Sequence, residues 1–355
     1  MTWKHLPALL IVLALVECEA PSSPPVPVAT PSSGIQLDVS GAQSMLDFCQ
    51  ALAEGQPWNE AAVREMATSP PYQVLIAHHH RLDAAFTTAA FARMLLALQT
   101  GTPFSSDSAR LTRMHKAYQT ACARVTTLRI RLRWLGDPAL VEQARGRAQT
   151  ALPPQARLEA TVYVLLDGRS PAYAVEDQAA IVLDLLQVRD PAWAETTLAH
   201  ELHHIGAASL LPPPCPELGL GAALETLTDM ALEGAATWYV DGWRGHPTQA
   251  DFALIEAFLQ DALMGRLTED ELTARKAELV RGVRGPLYRV GNQMIAELAA
   301  ARGDAWVKAH LGHPVGLLRA WREAEGTSAL SEELFVLLDG WAAQEVCPEW
   351  FAQTS

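Results

Sequence analysis

"DPAWAETTLAHELHHIGA", residues 190–207, decides how the chain is read. Asp190 is a good helix cap, and Pro191 suits the first helical position, where its missing N–H costs nothing. Leu198, Leu202 and Ile205 give the segment an apolar stripe at helical spacing. His200 and His204 are four residues apart, so a helix turning about 100° per residue sets them about 40° apart on one face. Glu201 lies one step round the helix. Two imidazoles so placed can share a divalent ion, and the carboxylate can take a proton from water on that ion without being a ligand itself. His203 points away from the shared direction and is expected to make a polar contact or support a ligand.

The His-Glu-x-x-His spacing is that of zinc hydrolases, and Zn²⁺ is the expected ion. A catalytic zinc needs a third protein ligand and one open position. No histidine follows at short spacing, so a carboxylate on another helix is expected. "ALETLTDMALEGAATWYV", residues 223–240, falls in a predicted helix over 222–240 and carries Glu225, Asp229 and Glu233 at four-residue intervals. These acids share one face, in the company of Leu224, Leu227, Met230, Leu232 and Ala235. Carboxylates so placed are costly unless paired or bound to a cation. Glu233 stands beside Gly234 and Ala235, which let helices approach closely, and is the chosen ligand. Glu225 is the alternative. Asp229 is expected to accept the second ring N–H of His200 or His204.

Working outward, the segment follows two apolar runs. "LEATVYVLLDG" (residues 158–168) is rich in β-branched and aromatic residues and ends in a turn signal. "AAIVLDLLQV" (residues 179–188) is read as a second strand, although a short helix fits as well. If residues 181–186 form an edge strand, they offer a place for an extended peptide to pair. Before the strands, helical periodicity fills 60–67, 72–81, 84–98, 106–135 and 139–152, broken at "SPP", "GTP" and "GDP". A short extended start precedes a helix capped by Ser40. Further helices run to Trp341. The chain is therefore expected to be mainly α with a small embedded β-sheet, an α+β fold. "AHHHR" (residues 77–81) reads as a solvated helix end, because consecutive side chains on a helix diverge.

The 355 residues are 49% hydrophobic and 19% charged, which suits a globular domain with a sizeable core. The net charge of -13 argues against nucleic-acid binding, which needs basic patches. At the N-terminus, Lys4 and His5 precede an apolar run over residues 6–16, the length of a signal-peptide core and short for a membrane span. Cys18 follows, where a lipid can be attached to exported bacterial proteins. Glu17 departs from the small residue usual before such a cysteine, so a plain secreted protein cleaved near Ala20 is the competing reading. Residues 19–34 are a Pro/Ser-rich linker. The expected organisation is thus a signal peptide over 1–18, a linker over 19–34 and one domain over 35–345, its helical N-terminal part ending at 152. The protein is expected to be exported, either secreted or membrane-anchored through a lipid on Cys18. Cys49, Cys122, Cys215 and Cys347 then allow up to two disulfides. Cys215 and Cys347, both beside prolines, are the preferred pair.

His200-Glu201-x-x-His204, followed by Asp229-x-x-x-Glu233-Gly234, resembles the glutamate-zincin peptidases. Within that group the chain is similar to a bacterial family of zinc-dependent peptidases of unknown function. "LDVSGAQSML", "LAHELHHIG", "ALEGAATWYV" and "YRVGNQMIAEL" (residues 288–298) carry the likeness. It implies a zincin-like core, Zn²⁺ held by His200, His204 and Glu233, Glu201 as general base, and a peptide or protein substrate. The Asn-Glu-x-x-x-Asp pattern of thermolysin-like enzymes is absent, since Thr237 stands four residues after Glu233. An oxyanion stabiliser is also required. Tyr288 is ranked first, ahead of Tyr239 and His246. Two other readings fit the motif: a non-catalytic zinc-binding lipoprotein and a zinc hydrolase of non-peptide amides. Glu201 speaks against the first, since a structural site needs no base.

Overall fold

Asp38 and Asp190 show how local chemistry sets the elements. The Asp38 carboxylate accepts from the Ser40 N–H at 2.7 Å, so the first helix begins at Ser40, with Asp38 rather than the Ser40 hydroxyl holding its first turn. Asp190 accepts from the Trp193 N–H at 2.8 Å and opens the histidine helix, with Pro191 at its first position. A computed structural model describes residues 34–352, apart from 283 and 326–329. The signal-peptide, lipidation and most of the linker expectations fall outside those residues. No described helix is long and apolar enough to cross a membrane.

In chain order the elements are β1 (Ile35–Asp38), α1 (Ser40–Ala53), α2 (Glu60–Thr68), α3 (Pro70–Leu82), α4 (Thr88–Thr100), α5 (Ala109–Cys122), α6 (Val125–Leu135) and α7 (Pro138–Thr150). There follow β2 (Ala160–Leu165), β3 (Ala172–Val175), β4 (Ala180–Asp184), α8 (Pro191–Ala208) and α9 (Leu218–Ala235). The rest is helical: α10 (Gln249–Leu263), α11 (Glu269–Leu279), α12 (Pro286–Arg302), α13 (Asp304–Ala309), α14 (Pro314–Glu325) and α15 (Glu332–Ala343). The fold is mostly α with one small mixed sheet, as expected from the sequence.

The sheet order is β1-β2-β4-β3. β1, β2 and β4 run parallel, and β3 lies antiparallel on β4 with Tyr173 opposite Val182. The run over residues 179–188 is a strand and not a helix. It is also not an edge: β4 is fully buried between β2 and β3. Its continuous apolar run suits a strand covered on both faces. Val182 joins the core of the N-terminal helices, and Ile181 joins Leu198, Ala199 and Leu202 of α8. The edges are β1 and β3, and the four residues "AYAV" of β3 are too few to stand out by alternation.

Helix 106–135 is in fact two helices broken at residues 123–124, where no glycine or proline marks the joint. Cys122, at the end of α5, is bonded to Cys49 of α1, and Cys215 is bonded to Cys347. The "AHHHR" stretch is not simply a solvated helix end. His79 is buried and pairs with buried Asp167 at 2.7 Å, while His78 stacks on Tyr173 at 3.9 Å between ring centres. A close helix crossing places α9 against α12 at Gly234 and Gly291. A Cβ on Gly291 would lie 1.9 Å from the Met230 carbonyl oxygen. The small residues beside Glu233 thus allow backbone-to-backbone contact next to the proposed ligand.

Candidate metal centre

α8 buries Leu198, Ala199 and Leu202 beneath the sheet. With that stripe fixed, His200 and His204 turn toward α9 and meet Glu233. His200 Nε2 is 3.2 Å, and His204 Nε2 3.3 Å, from the same Glu233 oxygen, Oε2. Ligands about 2.0–2.1 Å from a tetrahedral zinc lie roughly 3.3 Å from one another. The two nitrogen–oxygen spacings therefore match those of donors sharing one ion. The three candidate donor atoms all fall within 4.8 Å of one another, and this is the one such group found among the described residues.

The electrostatics agree. Burial would raise the Glu233 pKa, but His204 and His200 together hold it well below the ordinary carboxylate range. Burial would lower His200, but hydrogen bonds to Asp241 and Glu233 raise it well above its ordinary value. His204 is raised against burial by Glu233. Two rings and an acid so strongly stabilised by mutual charge are an arrangement in which a divalent cation can replace protons. The donor set of two imidazoles and one carboxylate suits zinc.

These side chains lie in a cleft of about 1100 Å³. Residues 63–327 match a protein family described as "Putative zinc dependent peptidase (DUF5700)". The chain belongs to this family. No curated protein and no solved structure matches the chain.

In this family member the remaining expected residues separate into those at the centre and those away from it. Glu201 lines the cleft beside both histidines. Burial raises its pKa, partly opposed by His200, His204 and the nearby Ala174 N–H of β3. Tyr288, in the first turn of α12, also lines the cleft, beside Glu233. Burial and the Glu233 charge raise its pKa far above that of a free phenol, so the hydroxyl keeps its proton. Tyr239 instead donates to Asp304 at 3.2 Å, and neither it nor His246 lines the cleft. His203 makes no polar contact: it is fully buried, and neither ring nitrogen has a hydrogen-bond partner among the described residues. Its pKa is lowered by burial, so the ring packs as a neutral group.

Asp229 does not contact either imidazole, and Glu225, the alternative ligand, is not among the grouped donors. Both are held by Lys276, at 2.9 and 2.6 Å. The carboxylate beside the candidate ligand His200 is Asp241, whose Oδ1 lies 3.2 Å from His200 Nδ1. Its other oxygen accepts from Arg284 at 2.9 Å. Burial would raise the Asp241 pKa, but His200 and Arg284 hold it low. An Nδ1–H donated to Asp241 leaves the Nε2 lone pair of neutral His200 facing the ion site.

Sequence periodicity could not find Asp241. Eight residues beyond Glu233, it would lie about 80° away on an α-helix. The chain instead leaves α9 through a π-helical turn, Ala236–Val240. The Asp241 N–H bonds back to the Ala236 carbonyl at 3.1 Å, five residues earlier. At about 4.4 residues per turn, those five residues bring Asp241 back to within roughly 10–20° of Glu233. Thr237 sits inside this turn. Its hydroxyl donates to the Glu233 carbonyl at 2.7 Å and accepts from the Asn292 amide at 3.0 Å. Asn292 also takes the Gly245 N–H at 3.0 Å and donates to the Trp243 carbonyl at 3.2 Å, fixing the chain beyond Asp241.

Proposed function

We propose that the protein is a zinc metallopeptidase of the glutamate-zincin type, with His200, His204 and Glu233 as metal ligands and Glu201 as general base. The observation that carries this reading is the single Glu233 oxygen lying 3.2 and 3.3 Å from the two imidazole nitrogens, with Glu201 in the same cleft. Zinc in such a site supplies Lewis acidity toward a carbonyl and lowers the pKa of water toward neutrality. Glu201 takes the proton from the attacking water and returns it to the departing amine. Burial, which raises the Glu201 pKa, favours the proton-accepting step of a general base. Tyr288, protonated and in the cleft, donates a hydrogen bond to the oxygen on which negative charge develops. Asp241 keeps His200 in one tautomer and orientation.

Two observations favour a peptide over a small amide. The cleft holds about 1100 Å³, more than a small amide needs, and Ala172, Tyr173 and Ala174 of the edge strand β3 line it. An extended chain can add to such an edge through backbone hydrogen bonds. Glu201 at the ion site disfavours a purely structural or binding role. The two disulfides support an oxidising compartment, in keeping with export.

The reading is tested on purified protein with a mixed peptide library analysed by mass spectrometry. Hydrolysis is expected from zinc-loaded protein, none after chelation and dialysis, and recovery on adding back one equivalent of zinc. Hydrolysis that survives complete zinc removal would contradict it.

A further inference from the structure

The cleft around the candidate metal centre is strongly one-signed. Among the described residues, eight carboxylates and two permanently cationic side chains line it. Both cations are already engaged. Arg81 lies 3.1 Å from Asp177, and Lys276 is held between Glu225 and Asp229. Glu176 has no such partner: no ion pair or hydrogen bond reaches its carboxylate among the described residues.

Glu176 is also firmly placed. It directly follows β3 and opens the short 3₁₀ turn Glu176–Gln178 that reverses the chain into β4. Its carbonyl accepts the Ala179 N–H at 3.0 Å, with Ala179 in the left-handed region at φ 46°. The side chain is exposed to the cleft and lines it. Enough protein surrounds it that desolvation raises its pKa. His204 opposes that rise, while Asp229, Glu233 and Glu225 add to it. These interactions put the Glu176 carboxylate within electrostatic reach of both the ion site and the acidic face of α9. It is an anion among anions, short of a counter-charge.

Its register along β3 makes it specific. The Ala174 N–H lies near Glu201, the proposed base. Glu176 is two residues further, about 7 Å along an extended chain. A peptide lying beside β3 with its scissile bond at Glu201 therefore brings a side chain one or two residues away to Glu176.

Resting on the peptidase reading above, we propose that Glu176 is a specificity-determining residue and that the preferred substrate carries a lysine or arginine within two residues of the scissile bond. The ammonium or guanidinium group supplies the charge the cleft lacks, in a place where walls of one sign concentrate the field.

The test has two arms. In the first, zinc-loaded wild type, Glu176→Gln and Glu176→Lys proteins are given peptide sets differing only in Lys, Arg, Leu or Glu at each position around the cleaved bond. Wild type is expected to prefer Lys or Arg over Leu by roughly tenfold or more in kcat/KM. Glu176→Gln should bring that ratio near one, and Glu176→Lys should turn the preference toward Glu. An unchanged ratio in both variants, or no basic preference in wild type, overturns the proposal. In the second arm, binding of the same peptides to zinc-loaded Glu201→Gln protein is read by fluorescence anisotropy, with and without Glu176→Gln. Basic peptides should bind about tenfold more tightly than neutral ones, and the added substitution should remove the difference. Equal binding of basic and neutral peptides overturns the proposal. If wild type cleaves nothing while this binding difference is present, the peptidase reading fails and the cation site stands.

Discussion

Glu201→Gln protein is expected to keep one equivalent of zinc and to lose peptide hydrolysis by roughly 10²–10⁴-fold. Glutamine keeps the shape of glutamate, so the helix and the cleft wall should persist. It cannot take a proton from water. The proposed ligands His200 and His204 point at Glu233, and Glu201 takes no part in that contact, so metal content should not change. Zinc quantified by mass spectrometry beside the rate of peptide cleavage separates the two effects. A variant that hydrolyses at the wild-type rate would remove Glu201 from the chemistry. Equal inactivity of wild type and variant across a broad library would favour the non-catalytic reading.

Asp241→Ala is expected to weaken zinc binding by about 10–100-fold, the usual cost of losing a carboxylate behind a histidine ligand. The loss has a clear origin. Without Asp241, nothing fixes the Nδ1–H tautomer of His200, and the Arg284 guanidinium loses its carboxylate partner. Competition with a chromophoric zinc chelator measures the affinity, and a thermal melt of the metal-free protein checks the fold. Asp229→Ala is the matched control, since Asp229 engages Lys276 rather than either imidazole. It should bind zinc as wild type does. If Asp229→Ala weakens zinc and Asp241→Ala does not, the supporting carboxylate has been misplaced.

That contrast marks where the sequence is legible. The histidine helix is readable because its signals are local: a capping aspartate, a proline at the first position, and two rings one turn apart. Glu233 is readable because a carboxylate on an apolar face needs a counter-charge, and the glycine and alanine beside it let a neighbouring helix come close. The Gly234–Gly291 crossing is that close approach. Asp241 is not readable, because the choice of Asp229 presumes a continuous α-helix. The π turn shifts the register by most of a quarter turn and exchanges one acid for another. Its cause is tertiary: Asn292, on a helix some fifty residues later, holds the Thr237 hydroxyl and the Trp243 carbonyl. The edge strand escapes for a different reason. A four-residue strand shows too little alternation, while the longer apolar run beside it is long and apolar because it is interior. His79 is misjudged because Asp167, its buried partner, lies 88 residues away.

His200, His204 and Glu233 are proposed to close on one zinc ion. Anomalous diffraction at the zinc edge, from crystals of zinc-loaded protein, tests it most directly. One strong peak is expected about 2.0–2.2 Å from His200 Nε2, His204 Nε2 and a Glu233 carboxylate oxygen. A peak elsewhere, or none between those three side chains, would contradict it.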